Sequence, residues 1–245
     1  MPNSLYVLDF DGVISDTREE CLVTSFNAYQ KMRNHSPYPV FQAEDISAEY
    51  RSKFRECRFL VRVACDFKLL WDMIIAGQHI YPSLSLRQQT LVDLDQLNRY
   101  HALFFEQRLC WMEQDLESWL AHNSLYPGVA DKLAEWIQAG RLFIASAKDK
   151  NSILKILGYY SLTISPELVF GMEGGDKNLQ YREISRQNNG TTIHLIDDHW
   201  ENLIFGKELG FKLYLATWGY TSKEYQSPLS EQGVTLLSLD QFLSL

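Results

Sequence analysis

No segment of this chain approaches the roughly twenty consecutive apolar residues that a membrane-spanning helix needs, so no membrane partner is expected. Basic residues are also short: 23 Lys and Arg stand against 31 Asp and Glu, a net charge of −8. That balance argues against nucleic-acid binding, because no cationic excess is available to displace counterions from a phosphate backbone. A small phosphorylated molecule is still admitted, since it needs only a local cationic patch. The four cysteines, Cys21, Cys57, Cys65 and Cys110, show no CxxC or other metal-ligand spacing. No export signal is read at the start, because Asp9 and Asp11 interrupt any apolar core there. Reduced cysteines and a cytoplasmic location are therefore expected. Internal repeats and low-complexity tracts are absent as well.

The richest stretch is Leu5-Tyr6-Val7-Leu8-Asp9-Phe10-Asp11-Gly12, followed closely by Asp16. The short apolar run suits a strand buried on both faces, as in a parallel sheet. On an extended backbone Asp9 and Asp11 point to one side and Phe10 to the other. Gly12 allows a sharp exit from the strand. Packing a core calls for no such pair of aspartates, and like charges this close disfavour each other's ionisation unless a cation or protons intervene. A metal site is one reading. The other is a strand followed by an acidic cap of the next helix.

After Asp16 the pattern is helical for about a hundred residues. Leu22, Phe26, Tyr29 and Met32 recur at helical spacing, and the run at 34–37 ends that helix. A helical stretch, straight or kinked, is expected over 44–75 with a stop at Gly77, and another, as one helix or two, over 86–121 after a cap at Ser83 or Ser85. From Tyr126-Pro127-Gly128-Val129 onward, strands at 142–145, 168–170, 192–196, 212–216 and 234–237 alternate with helices. Repeated βα units predict an α/β fold: a Rossmann-like, doubly wound parallel sheet with helices on both faces. The core is expected to comprise 1–16 and 125–245, with 17–124 inserted after the first strand as an all-helical cap.

Ligands of open parallel sheets gather beyond the carboxyl ends of the strands. Those ends carry Asp9 and Asp11, then Ser146-Ala147-Lys148-Asp149, then Asp197-Asp198. Carboxylates, a hydroxyl and a lysine are thus expected on one rim. Bland readings remain for single members: Ser146 as a helix cap, Lys177 as an exposed helix-start residue, Glu201 as a first-turn residue favoured by the dipole. His194 has no partner at ligand spacing.

Taken together these segments resemble the haloacid dehalogenase superfamily, in its phosphatase branch, with the layout of phosphoglycolate phosphatase-like and β-phosphoglucomutase-like proteins. The family's Asp-x-Asp-Gly-x-x-x-Asp is matched by Asp9, Asp11, Gly12 and Asp16. The resemblance implies that Asp9 is a nucleophile and metal ligand. It implies that Asp11 is the general acid and base, lending its main-chain carbonyl to the metal. Ser146 and the amide of Ala147 would hold phosphate oxygens. The family's lysine is matched by Lys177, with Lys148 as rival. Asp197 and Asp198 would complete a Mg²⁺ site, Asp197 first, although Ile196 and Glu201 depart from the commoner Gly and second Asp.

The implied activity is Mg²⁺-dependent hydrolysis of a small phosphomonoester through an aspartyl-phosphate. A phosphomutase of the same fold and a non-catalytic phosphate-binding relative are the alternatives. Receiver domains gather similar residues, but there the acidic pair precedes the phosphorylated Asp, and here it follows. Arg51, Arg55, Arg58 and Arg62, at spacings of four, three and four, fall on one stripe of a helix, as either a solvated face or a grip on a second anionic group. The sequence reveals neither the substrate nor the oligomeric state.

Overall fold

The computed structural model describes residues 4–34 and 39–245. Most of the run at 34–37 expected to end the first helix lies outside the described residues; the helix itself is Arg18–Met32. The chain folds as two compact units, Met1–Asp16 with Ser124–Leu245, and Thr17–Asn123.

The first unit is built on a six-stranded sheet. Its strands are β1 (Ser4–Leu8), β4 (Leu142–Ala145), β5 (Val169–Phe170), β6 (Thr192–Asp197), β7 (Lys212–Ala216) and β8 (Thr235–Leu237). Two further short strands, β2 (Ser15–Asp16) and β3 (Ser124–Leu125), pair antiparallel where the chain leaves this unit and returns to it. The large sheet runs β5-β4-β1-β6-β7-β8, all parallel. The order reverses between β1 and β6, which is the switch point where doubly wound sheets leave a crevice. The Rossmann-like core expected from the sequence is the one found.

Both faces are covered. Leu5, Val7, Phe143, Ala145, Ile193, Leu195, Leu213 and Leu215 pack on Tyr181 and Ile184 of helix Lys177–Gln187 and on Leu203 of helix Trp200–Glu208. On the other face Tyr6 stacks on Trp136 of helix Val129–Gln138, with ring centroids 3.8 Å apart. Each such side chain withdrawn from water stabilises the fold by about 1.5–3 kcal/mol. The register matters most for the site. Leu8 lies beside Ile144 on β4 and Ile196 on β6, so the next residues, Asp9, Ala145 and Asp197, form one row.

The second unit is helical, and both long stretches are broken, into more pieces than a kink in the first and two helices in the second. The expected helix over 44–75 divides into Ala48–Cys57, a 3₁₀ turn at Arg58–Leu60, and Asp66–Ile75. The Asp66 carboxylate accepts from the main-chain N–H of Arg62 and Val63, at 3.2 and 3.3 Å, and so turns the chain before the second piece. The stretch over 86–121 likewise divides into Leu86–Gln89, Leu94–Gln114 and Leu116–Ala121, with Asp93 and Asp115 as N-caps.

This break removes the expected arginine stripe. Arg55 pairs with Glu19 through two hydrogen bonds of 2.8 Å, while Arg58 is buried with its guanidinium 5.2 Å from the centre of the Phe67 ring. Arg62 lies beyond both helical pieces. One helix face cannot hold all four once the helix ends at Cys57.

A buried ion pair lies inside the helical unit. Arg108 Nε and Nη2 each lie 2.9 Å from an oxygen of Glu20, whose side chain is fully buried. Thr24 and Trp119 also donate to Glu20, at 2.8 and 3.3 Å. Removing one ion of such a pair strands the other in the interior. Arg108→Met is expected to cost about 3–5 kcal/mol in urea unfolding followed by tryptophan fluorescence. The double variant Glu20→Leu, Arg108→Met is expected to cost less than the sum of the single changes.

Candidate active site

The strand ends of the sheet position each group. Asp9 extends β1 by one residue, its N–H donating to Ile196 O at 3.0 Å. Asp11 and Gly12 begin a turn in which Gly12 N donates to Ser15 O at 2.8 Å, with Gly12 at φ +85°. A Cβ on Gly12 would collide with the Asp198 carboxylate, so this glycine is required both for its backbone angle and for its smallness. Ser146 follows β4, its N–H bonded to Phe170 O at 2.8 Å. Asp197 closes β6, and Asp198 accepts from Tyr220 N at 2.6 Å.

Lys177, at the first turn of its helix, reaches into this row. Its Nζ donates to Ala145 O at 2.6 Å, to Asp9 Oδ1 at 2.9 Å and to Asp197 Oδ2 at 3.0 Å. Three N–H protons meet three acceptors, so the ammonium is saturated. Burial alone would lower the Lys177 pKa, but the carboxylates of Asp197 and Asp9 outweigh it and hold the group above its ordinary value. Lys148, fully buried in its side chain, lies 3.1 Å from Asp11 Oδ1. The two lysines that sequence reasoning treated as rivals therefore serve different aspartates.

Asp197 is held from several sides. His199 N donates to Oδ1 at 2.8 Å, Asn202 Nδ2 reaches both oxygens at 3.1 Å, and Tyr181 OH donates to Oδ2 at 3.2 Å. Burial, and then the Asp197 charge, push the Tyr181 phenol well above its ordinary pKa, which keeps it a donor. Asp9 has less support. Burial raises its pKa to about 6, Lys177 opposing the rise and the neighbouring Asp197 and Asp11 adding to it.

The rim therefore holds excess negative charge. Asp9, Asp11, Asp197 and Asp198 are four carboxylates, against the two ammonium groups of Lys148 and Lys177. Asp9, Asp197 and Asp198 can each bring an oxygen within 4.8 Å of the others. Buried oxygens with two charges in excess among these six side chains match the chemistry of a hard divalent cation.

Ala147 is exposed beside the buried Ser146, whose Oγ accepts from Lys148 N at 3.2 Å. Asp149, not Ser146, caps helix Lys150–Tyr159, accepting from Ser152 N at 2.8 Å. Glu201 sits in the first turn of its helix, and the neighbouring Asn202 reaches Asp197 instead. His194 stays on the sheet face, 3.0 Å from Tyr214 OH. Sequence reasoning did not find Asn202, Tyr181 or Gln180. The Gln180 side chain donates to the carbonyls of Ser146, Gly171 and Gly175 at 2.9–3.1 Å, tying together the loops after β4 and β5. Nothing local in the sequence distinguishes these from ordinary helix residues.

No protein-family model matches the chain, and no curated protein does. Solved structures do. A predicted phosphatase from Clostridium acetobutylicum superposes with a TM-score of 0.62 at 16% identity, over 98% of this chain and 96% of that one. A haloacid dehalogenase-like family hydrolase from Streptococcus pneumoniae gives 0.59 at 14%, over 97% and 93%. A predicted phosphoglycolate phosphatase from Haemophilus somnus gives 0.56 at 16%, over 89% and 87%. The chain thus has the fold of the haloacid dehalogenase-like hydrolases, as its motifs led us to expect.

The raised pKa of Asp9 carries a consequence for stability. Between about pH 4 and pH 6 the folded protein holds the Asp9 proton that the unfolded chain releases, so this group's contribution falls as pH rises through that window. With a chelator present, Asp9→Asn is expected to remove that slope. Urea unfolding of both proteins from pH 4 to pH 7 measures it.

Proposed function

We propose that this chain, folded as the haloacid dehalogenase-like hydrolases are, is a phosphatase that hydrolyses a small phosphomonoester with Mg²⁺ as cofactor. One observation carries the reading. Asp9, Asp11, Ser146, two lysines and an aspartate pair meet at the carboxyl rim beside the switch point of the sheet.

Asp9 Oδ1 is engaged by Lys177 and by the main-chain N–H of Phe10, at 2.9 and 2.6 Å. Oδ2 is thereby left as the attacking oxygen. Its bond to phosphorus forms as the bond from phosphorus to the ester oxygen breaks, giving an aspartyl-phosphate and splitting one hard displacement into two easier ones. Asp11 gives a proton to the departing oxygen. It then takes one from the water that attacks phosphorus, releasing inorganic phosphate and regenerating Asp9. The Ser146 hydroxyl and the exposed Ala147 amide hold the equatorial oxygens, where positioning and electrostatics supply most of the catalysis.

Asp9, Asp198 and the main-chain carbonyl of Asp11 would hold Mg²⁺. Asp197, which lies with Asp9 and Asp198 in one cluster of buried carboxylates, would join them as a ligand and also fix Lys177. When bound, the cation neutralises the repulsion between the carboxylate nucleophile and the phosphoryl group.

The test is phosphate release from a panel of phosphorylated metabolites, with and without Mg²⁺. Wild type is expected to turn over at least one ester only with the metal, and Asp9→Asn to lose at least about 10³-fold in kcat. Turnover that survives in Asp9→Asn would remove Asp9 as the nucleophile. A folded wild type that releases phosphate from no ester would remove the phosphatase reading.

A further inference from the structure

The surroundings of Lys148 differ from those of Lys177. Its Nζ forms an ion pair with Asp11, 3.1 Å from Oδ1, and donates to Oδ2 at 3.4 Å. The lysine side chain has no exposure, while that of Asp11 is 19% exposed, so what the pair shows to solvent is the carboxylate. The lysine's own backbone is fixed twice, by its N–H to Ser146 Oγ at 3.2 Å and by its carbonyl, which accepts from Met172 N at 3.1 Å. Gly171 packs against this backbone so tightly that an added Cβ would press on Lys148 O and Lys150 N. The stem of Lys148 therefore starts from an immobile point.

Asp11 needs such a partner. A carboxylate that moves a proton must lie within hydrogen-bond reach of the ester oxygen, roughly 2.6–3.2 Å. An aspartate in a turn has three staggered χ1 wells to choose from, and only one can satisfy that distance for a given ester. We propose that Lys148 is the positioning residue of Asp11: it selects the rotamer from which Asp11 serves the leaving oxygen and the attacking water. This inference rests on the phosphatase reading. It assigns Lys148 to proton transfer and not to binding the phosphoryl group.

Leaving-group dependence separates the two roles. A 4-nitrophenolate needs little protonation to depart, whereas an alkoxide needs a proton. In Lys148→Met, kcat/KM for an alkyl phosphate is expected to fall about 10²–10³-fold, and that for 4-nitrophenyl phosphate less than about tenfold. Asp11→Asn is expected to show the same selectivity, and the double variant to be no worse than Asp11→Asn, because both changes remove one function. Affinity for inorganic phosphate, measured by calorimetry, is expected to stay within about threefold of wild type.

Equal losses on both esters with weakened phosphate binding would overturn the proposal and make Lys148 a phosphate ligand. So would losses that add in the double variant. If Lys148→Met does not fold, Lys148→Gln, which keeps a donor on a shorter stem, carries the same comparison. Turnover that Asp9→Asn abolishes but Lys148 variants leave untouched overturns this inference alone. A wild type inactive on both esters overturns the phosphatase reading and this inference with it.

Discussion

The site depends on one buried ammonium group. Withdrawing Lys177 from water costs several kcal/mol, and only close, well-aligned acceptors offset that. The acceptors come from three strands: Ala145 O from β4, Asp9 from the end of β1 and Asp197 from the end of β6. The same interaction that stabilises the lysine therefore fixes the row across the switch point and selects which oxygen of Asp9 stays open. Stability and orientation of the nucleophile are not separate achievements here. A shift of β6 by one residue would flip Asp197 to the other face of the sheet and take it away from Lys177.

How much of this was legible in the sequence depended on how local the cause was. The apolar run before Asp9, the glycine after Asp11 and the alternation of strands with helices are short-range patterns, and they led directly to the sheet. The convergence of Asp9, Ser146 and Asp197 followed from one rule about strand ends. The choice between Lys148 and Lys177 did not follow, because each lies a plausible distance after a strand. Only the cross-strand register shows that they serve different carboxylates. Asn202, Tyr181 and Gln180 were invisible for the same reason: their partners lie on other strands and loops.

In the helical unit the misreading lay in the arginine stripe. The spacing of Arg51, Arg55, Arg58 and Arg62 is helical, but Asp66 offers its carboxylate to the N–H groups of Arg62 and Val63 and so competes with helix continuation. A side chain that replaces the i−4 carbonyl for two amides stops a helix whatever its apolar period. Arg58 then turns inward over Phe67 instead of joining a charged face. Periodicity measures the preference for a helix and says nothing about competitors further along the chain.

The adjacent aspartates show why residue type alone does not assign a role. Neighbours at a strand end point in opposite directions, so Asp197 and Asp198 meet different surroundings although their chemistry is identical. Asp197 is in the row of Asp9 and Ala145, where the protein's own donors take both its oxygens. Asp198 lies one step further, against Gly12 and Gly219, where an added Cβ on either glycine would strike it. Its carboxylate accepts the main-chain N–H of Tyr220 at 2.6 Å. The proposed cation would be drawn to the buried carboxylates that converge here, Asp9, Asp197 and Asp198, and Asp197 would also fix Lys177.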